Sequence, residues 1–214
     1  MRTFDRFAGT CAILVGVGGL IYGILFGAIV LGASRPVAVT WLTLGLVGAL
    51  LATPVSVALY YRLRDIDRGF ALLALLVGLA AALGQFENSA LGLGGALTPA
   101  IGSRGAPADP FGAFRFGLAG VALFLVGWLA VRGGALPRGL GYLAEAGGIL
   151  LALVYLGRLT GVIDPATRIT VLPPVLYGVV VHPVFYVWLG LVLRRTAATD
   201  GRDQQSEHHL PSSG

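Results

Sequence analysis

Lysine is missing altogether: all 15 cations of the 214-residue chain are arginine. With heavy use of Ala, Gly and Leu, that composition points to a GC-rich prokaryotic genome. Charge of either sign is scarce, 12% of residues against roughly 25% in a soluble domain, so water is not the natural solvent of this chain. Cysteine is nearly absent too. Cys11 stands alone, which excludes an intrachain disulfide and a thiolate metal cluster and leaves it the part of a small packing residue. No P-loop, G-x-S-x-G, H-E-x-x-H or carboxylate pair at helical spacing occurs. These absences make an enzyme the minority class and give no reason to expect a cofactor.

What is present is apolar length. Hydrophobic residues make up 56% of the chain. A helix needs about 20 apolar residues to cross a hydrocarbon core of about 30 Å, and six stretches reach or approach that length: 8–32, 37–61, 69–86, 111–131, 139–160 and 171–193. The expectation is an all-α, polytopic membrane helix bundle occupying residues 1–193, with no room for a soluble catalytic domain. A polar tail, 194–214, is rich in Ser, Asp and Gln and is expected to be disordered. His208 and His209 within it are too few for a metal site. The first segment exceeds the about 7 to 15 apolar residues of a signal peptide and lacks an A-x-A site, so it is expected to remain as a span.

The net charge of +5 does not imply nucleic acid, because the arginines gather at segment ends. One side of the alternating connections collects Arg2, Arg6, Arg62, Arg64, Arg68, Arg132, Arg138, Arg194, Arg195 and Arg202; the other has Arg35, Arg104 and Arg168, with Arg115 and Arg158 just inside segments. The positive-inside rule then puts both termini in the cytoplasm, as an even span count requires. The bilayer is the expected partner, with a homodimer mate or another membrane protein as a further one.

Glycine and proline punctuate the spans. Gly19, Gly23 and Gly27 fall four apart in "GLIYGILFG" and stack on one helical face, a surface for close helix packing, within the bundle rather than in a dimer. Pro54 and Pro183 each remove a backbone donor and should kink their helices. The connection from Glu87 to Gly112, "ENSALGLGGALTPAIGSRGAPADPFG", is the longest and reads as a re-entrant segment or a lid over the outer end. The opening "RFAGTCAILVGVGGLIYG" and the closing "VVVHPVFYVWLGLVL" before a double arginine resemble small six-span prokaryotic membrane proteins of unassigned function. That resemblance implies a six-helix fold and transfers no catalytic residue.

Polar residues that a bilayer should exclude mark the candidate sites, since an ionisable group at its centre costs about 2.5 to 3.5 kcal/mol. Glu87 and Arg115 each lie about 26 Å from the cytoplasmic end of their segments. With Asn88, Gln85 and Arg158 they share an outer layer, and a carboxylate with two guanidiniums there predicts paired helices or the mouth of a pocket. Glu145 lies about 10 Å inside its segment on a face with Gly141, Gly148, Ala152 and Tyr155, which should turn it toward the bundle interior rather than lipid.

His182 sits at mid-membrane in "VVVHPVFYVW", with Tyr186 one turn on. Pro183 leaves the carbonyl of Val179 without its helical donor, and a neutral imidazole has an N–H to offer a freed carbonyl. The same ring, with Tyr186 and Glu145, also makes a polar track of the kind that carries protons. One intramembrane histidine falls short of bis-histidine haem ligation. The residues therefore favour a non-enzymatic accessory, regulatory or small-ligand-binding membrane protein. A small secondary transporter or proton-coupled permease is the alternative, and a haem- or quinone-binding electron carrier ranks third.

Overall fold

A computed structural model of the chain describes residues 2–97, 113–160 and 168–207. The described residues form helices and short joins, with no strand. In order they are α1 (Arg2–Val30), α2 (Arg35–Leu63), α3 (Arg68–Leu97), α4 (Ala113–Gly133), α5 (Arg138–Leu159) and a last stretch in three pieces. That stretch comprises α6 (Arg168–Leu176), a π-helical segment (Tyr177–Val181) and α7 (His182–Glu207). Among the described residues six helical stretches are long and apolar enough to cross a membrane: Thr3–Ile29, Arg35–Leu63, Arg68–Gly95, Arg115–Gly133, Arg138–Gly157 and Leu172–Arg195.

Local chemistry explains the ends. Gly32 and Gly134 take φ of 89° and 65° just beyond α1 and α4, a backbone region open chiefly to glycine, and the chain reverses there. Pro36 falls in the first turn of α2, where its missing N–H has no intrahelical acceptor to lose. Within α2 the hydroxyls of Thr53 and Ser56 donate to the carbonyls of Ala49 and Ala52, so neither reaches lipid unsatisfied.

Two boundaries differ from expectation. α3 does not stop at Phe86 but runs to Leu97, because the apolar "ALGLGGAL" continues the helix and Glu87 projects from an exposed face of it without interrupting it. The rest of the long connection, 98–112, lies outside the described residues, and with it the question of a re-entrant segment or lid. At the other end α7 continues to Glu207, through most of the tail expected to be disordered. Extending an existing helix avoids the nucleation cost, and this segment, rich in Arg, Ala and Gln, meets no proline before Pro211. His208 and His209 lie outside the described residues.

The helices form a ring. α4 against α5, α1 against α7 and α2 against α3 make the most extensive contacts; α1 with α2 and α3 with α4 follow, and a short α5–α7 seam closes the circle. The tightest core fills only one half of it. Ala8, Ala12, Val55, Leu63, Leu129, Leu140, Phe185, Leu189 and Leu193 pack there, all near the ends that α1 begins from and α2, α4 and α7 run toward. Outside, Leu20, Ile24, Leu76, Leu83, Val121, Leu153, Leu156 and Val184 are exposed, an apolar belt that suits lipid and not water.

Glycine sets how closely the helices approach. A Cβ on Gly9 or Gly16 of α1 would strike α7, one on Gly23 would meet the backbone of Gly178 at 2.8 Å, and one on Gly120 or Gly127 would strike α5. Gly19 and Gly23 thus pack inside the bundle, as their spacing predicts, whereas Gly27 faces open space.

Candidate functional site

Inside the ring lies a cavity of about 560 Å³. That is within the range of about 300–1,000 Å³ found for small-molecule pockets. Its walls come mainly from α1, α2, α3, α4 and the last helical stretch, and are mostly apolar: Val15, Leu44, Leu59, Leu75, Ala122 and Phe185 among them. Two polar groupings interrupt them. Among the described residues no Asp or Glu borders the cavity.

The first grouping sits away from the packed core, around Arg115 at the start of α4. The residue is 5% exposed. Its Nη2 donates to the Tyr22 hydroxyl on α1 at 3.1 Å, while Nε and Nη1 are buried with no acceptor among the described residues. The guanidinium carbon lies 4.9 Å from the centre of the Phe116 ring, a cation–π contact. Tyr22 stacks on Trp41 of α2 at 5.0 Å, and the indole Nε1 of Trp41 is another buried donor with no acceptor among the described residues. On α3, Gln85 Nε2 donates to the fully buried Ser89 Oγ at 2.8 Å. Gly45 leaves the space this pair needs: a Cβ there would lie 2.5 Å from Gln85 Nε2 and 2.6 Å from Ser89 Oγ.

The outer layer read from sequence is therefore only partly assembled. Arg115 takes Tyr22, 93 residues away in sequence, as its partner rather than Glu87. Glu87 is exposed and Asn88 half-buried on α3, and neither borders the cavity. The physical reason is azimuth: Gln85 and Ser89 share the inward face of α3, and Glu87, two residues from each, points about 200° around the helix. Arg158 is on α5, but its side chain lies outside what the structure describes.

The second grouping is aromatic. His182 lies 4.5 Å from Tyr186 between ring centroids with the rings tilted by 43°, and meets Tyr177 edge-on at 5.8 Å, and all three line the cavity. The ring occupies the space over Gly19, where a Cβ would overlap Nδ1 and Cε1. Glu145, the third member of the expected track, is elsewhere. It packs against Gly127 on the α4 side of α5, half-buried, and does not border the cavity. The small-residue face expected to turn it toward the bundle interior packs against α4 instead.

Nor does the imidazole repair the backbone. Its Nδ1 is buried with no hydrogen-bond partner among the described residues. The chain meets Pro183 with the π-helical segment instead, the His182 backbone N–H donating to the Tyr177 carbonyl five residues back. A π-turn inserts one residue into the helical register, and here it brings Gly178 against Gly23.

Tyr22 and Tyr177 border the cavity, and Trp41 and Ser89 touch its lining residues Tyr22 and Gln85 without bordering it; all four were unannounced by the sequence. Their one signal was a polar atom inside an apolar run, the same criterion that singled out His182 and Gln85. No metal-binding group of His, Cys, Asp and Glu occurs among the described residues. No family model, curated protein or solved structure matches the chain.

Proposed function

We propose that this is a non-enzymatic, multi-pass protein of the prokaryotic plasma membrane that holds a small ligand within its helix ring, both termini lying in the cytoplasm. The observation that carries the reading is the cavity: apolar walls around a few convergent polar groups, with a buried, half-satisfied guanidinium among them. The arginine distribution supports the orientation. A proton-coupled permease draws less support, because the acidic member of its track does not share the cavity with His182 and Tyr186.

Gly48 supplies the test. It borders the cavity, and a Cβ on it would meet nothing within 4 Å, so a larger side chain fills space without displacing a neighbour. Native mass spectrometry of the protein in mild detergent is expected to show a bound small molecule that Gly48→Leu loses while remaining folded. A wild-type protein carrying only exchangeable bulk lipid refutes the proposal. Reporter fusions to either end should be active on the cytoplasmic side.

A further inference from the structure

We infer that the ligand is an amphiphile bearing one oxyanion, a carboxylate or a phosphate, with its head on Arg115 and its apolar tail along the cavity toward Leu63 and Ala71. The inference rests on the ligand-binding reading above and narrows it to a chemical class.

The head group follows from charge. Nε and Nη1 of Arg115 carry three of the five guanidinium N–H donors, and neither nitrogen has an acceptor among the described residues. A buried cation without a counter-charge is strongly unfavourable, more so where lipid replaces water. Among the described residues no carboxylate borders the cavity to supply that charge. The planar fork of arginine matches two oxygens of a carboxylate or phosphate at once. A neutral ligand leaves the guanidinium uncompensated; an oxyanion answers it.

The tail follows from shape. Along α3 the cavity wall extends from Gln85 to Ala71. Fourteen residues at 1.5 Å each make about 21 Å, more than the about 15 Å hydrocarbon depth of one leaflet. Below the polar head region the walls are mostly apolar, with Leu59, Leu63, Ala74 and Phe185, interrupted by Ser56, Tyr60, His182 and Tyr186. A compact polar metabolite leaves most of that length empty, whereas an acyl chain fills it.

Entry is from the side. Leu14, Val17 and Ile21 of α1 and Val47 of α2 are well exposed on the outer surface and also border the cavity, so it opens between these two helices. The Tyr22–Trp41 stack bridges that gap at one end, and the Asp5–Arg62 ion pair, 3.2 Å, bridges it at the other. A window between two ties, facing hydrocarbon, admits a ligand dissolved in the bilayer.

The test compares matched probes on the purified full-length protein by native mass spectrometry: palmitate, hexadecanol, inorganic phosphate and phosphatidylglycerol. Palmitate is expected to bind about tenfold or more tightly than hexadecanol, the difference a charge-assisted bond makes. R115Q should abolish that preference, R115K should keep part of it, and Y22F should weaken it. Retention of phosphatidylglycerol by the wild type in preference to palmitate assigns the oxyanion to a phospholipid phosphate; the reverse assigns it to a free fatty acid. Binding of inorganic phosphate with neither tailed anion retained overturns the amphiphile. Equal binding of palmitate and hexadecanol to the wild type overturns the oxyanion while leaving a ligand-binding cavity intact, and decides the matter even if the Arg115 variants fail to fold. Binding of neither, with no co-purified species lost in Gly48→Leu, removes the ligand-binding reading itself.

Discussion

Gly18 and Gly19 are neighbours on α1, yet the structure gives them opposite responses to one added methyl group. At Gly18 a Cβ meets nothing within 4 Å; at Gly19 it overlaps Nδ1 and Cε1 of His182. Replacing a helical glycine with alanine stabilises a helix by about 1 kcal/mol, and at Gly18 that gain is unopposed. At Gly19 overpacking costs about 1–3 kcal/mol. The imidazole has little room to withdraw, held by Tyr186 at 4.5 Å and Tyr177 at 5.8 Å. Gly18→Ala should therefore be up to about 1 kcal/mol more stable than the wild type and Gly19→Ala up to about 2 kcal/mol less stable, a gap of about 1–3 kcal/mol. His182→Ala vacates the space, so in Gly19→Ala/His182→Ala the two changes should be non-additive by about 1–2 kcal/mol, in the direction of rescue. Unfolding in mixed detergent micelles, followed by fluorescence of the three tryptophans, reads all four proteins. If the two glycine variants agree within about 0.5 kcal/mol, the placement of His182 over Gly19 is wrong. The same logic separates Gly23 from Gly27: alanine at the first strikes the Gly178 backbone and should destabilise, and at the second it should not.

Cys11 is 2% exposed in the packed half of the bundle, so a membrane-permeant maleimide should label it only after unfolding, and labelling of the native protein at the denatured rate refutes that burial. The Asp5–Arg62 pair ties α1 to α2 with both side chains mostly shielded. Asp5→Asn should cost about 1 kcal/mol in the same unfolding assay, with a smaller difference at high salt. A larger loss, insensitive to salt, shows that the side chain acts through packing and not through charge.

The six spans were legible because hydropathy acts along one dimension. Each apolar run must be helical in lipid, where every backbone polar group needs an internal partner. The close-packing role of Gly19 and Gly23 was legible for a similar reason, since four-residue spacing places residues on one face whatever the partner helix is. Where sequence reading missed, it had depth without azimuth. Glu87 and Arg115 do sit far along their spans, but Glu87 turns outward on α3 while Arg115 turns inward to Tyr22. Glu145 turns against α4 and not into the bundle interior beside His182. The proline at 183 did signal an irregular helix, and the irregularity takes the form of a π-turn, because the backbone offered an i→i+5 bond that no side-chain pattern encodes.

By itself, then, the amino-acid sequence determined that this chain belongs in a membrane, how many times it can cross and which residues the bilayer would resist. These follow from transfer free energies and from a helical rise of about 1.5 Å per residue, both local properties. Only the tertiary structure decided which of those residues meet. The choice of α5 as the partner of α4, and of the last helix as the partner of α1, comes from glycine faces interlocking over many residues at once. The cavity is what that choice leaves over: a space bounded mainly by α1 to α4 and the last helical stretch, with an arginine whose partner is set by the rotation of helices about their axes.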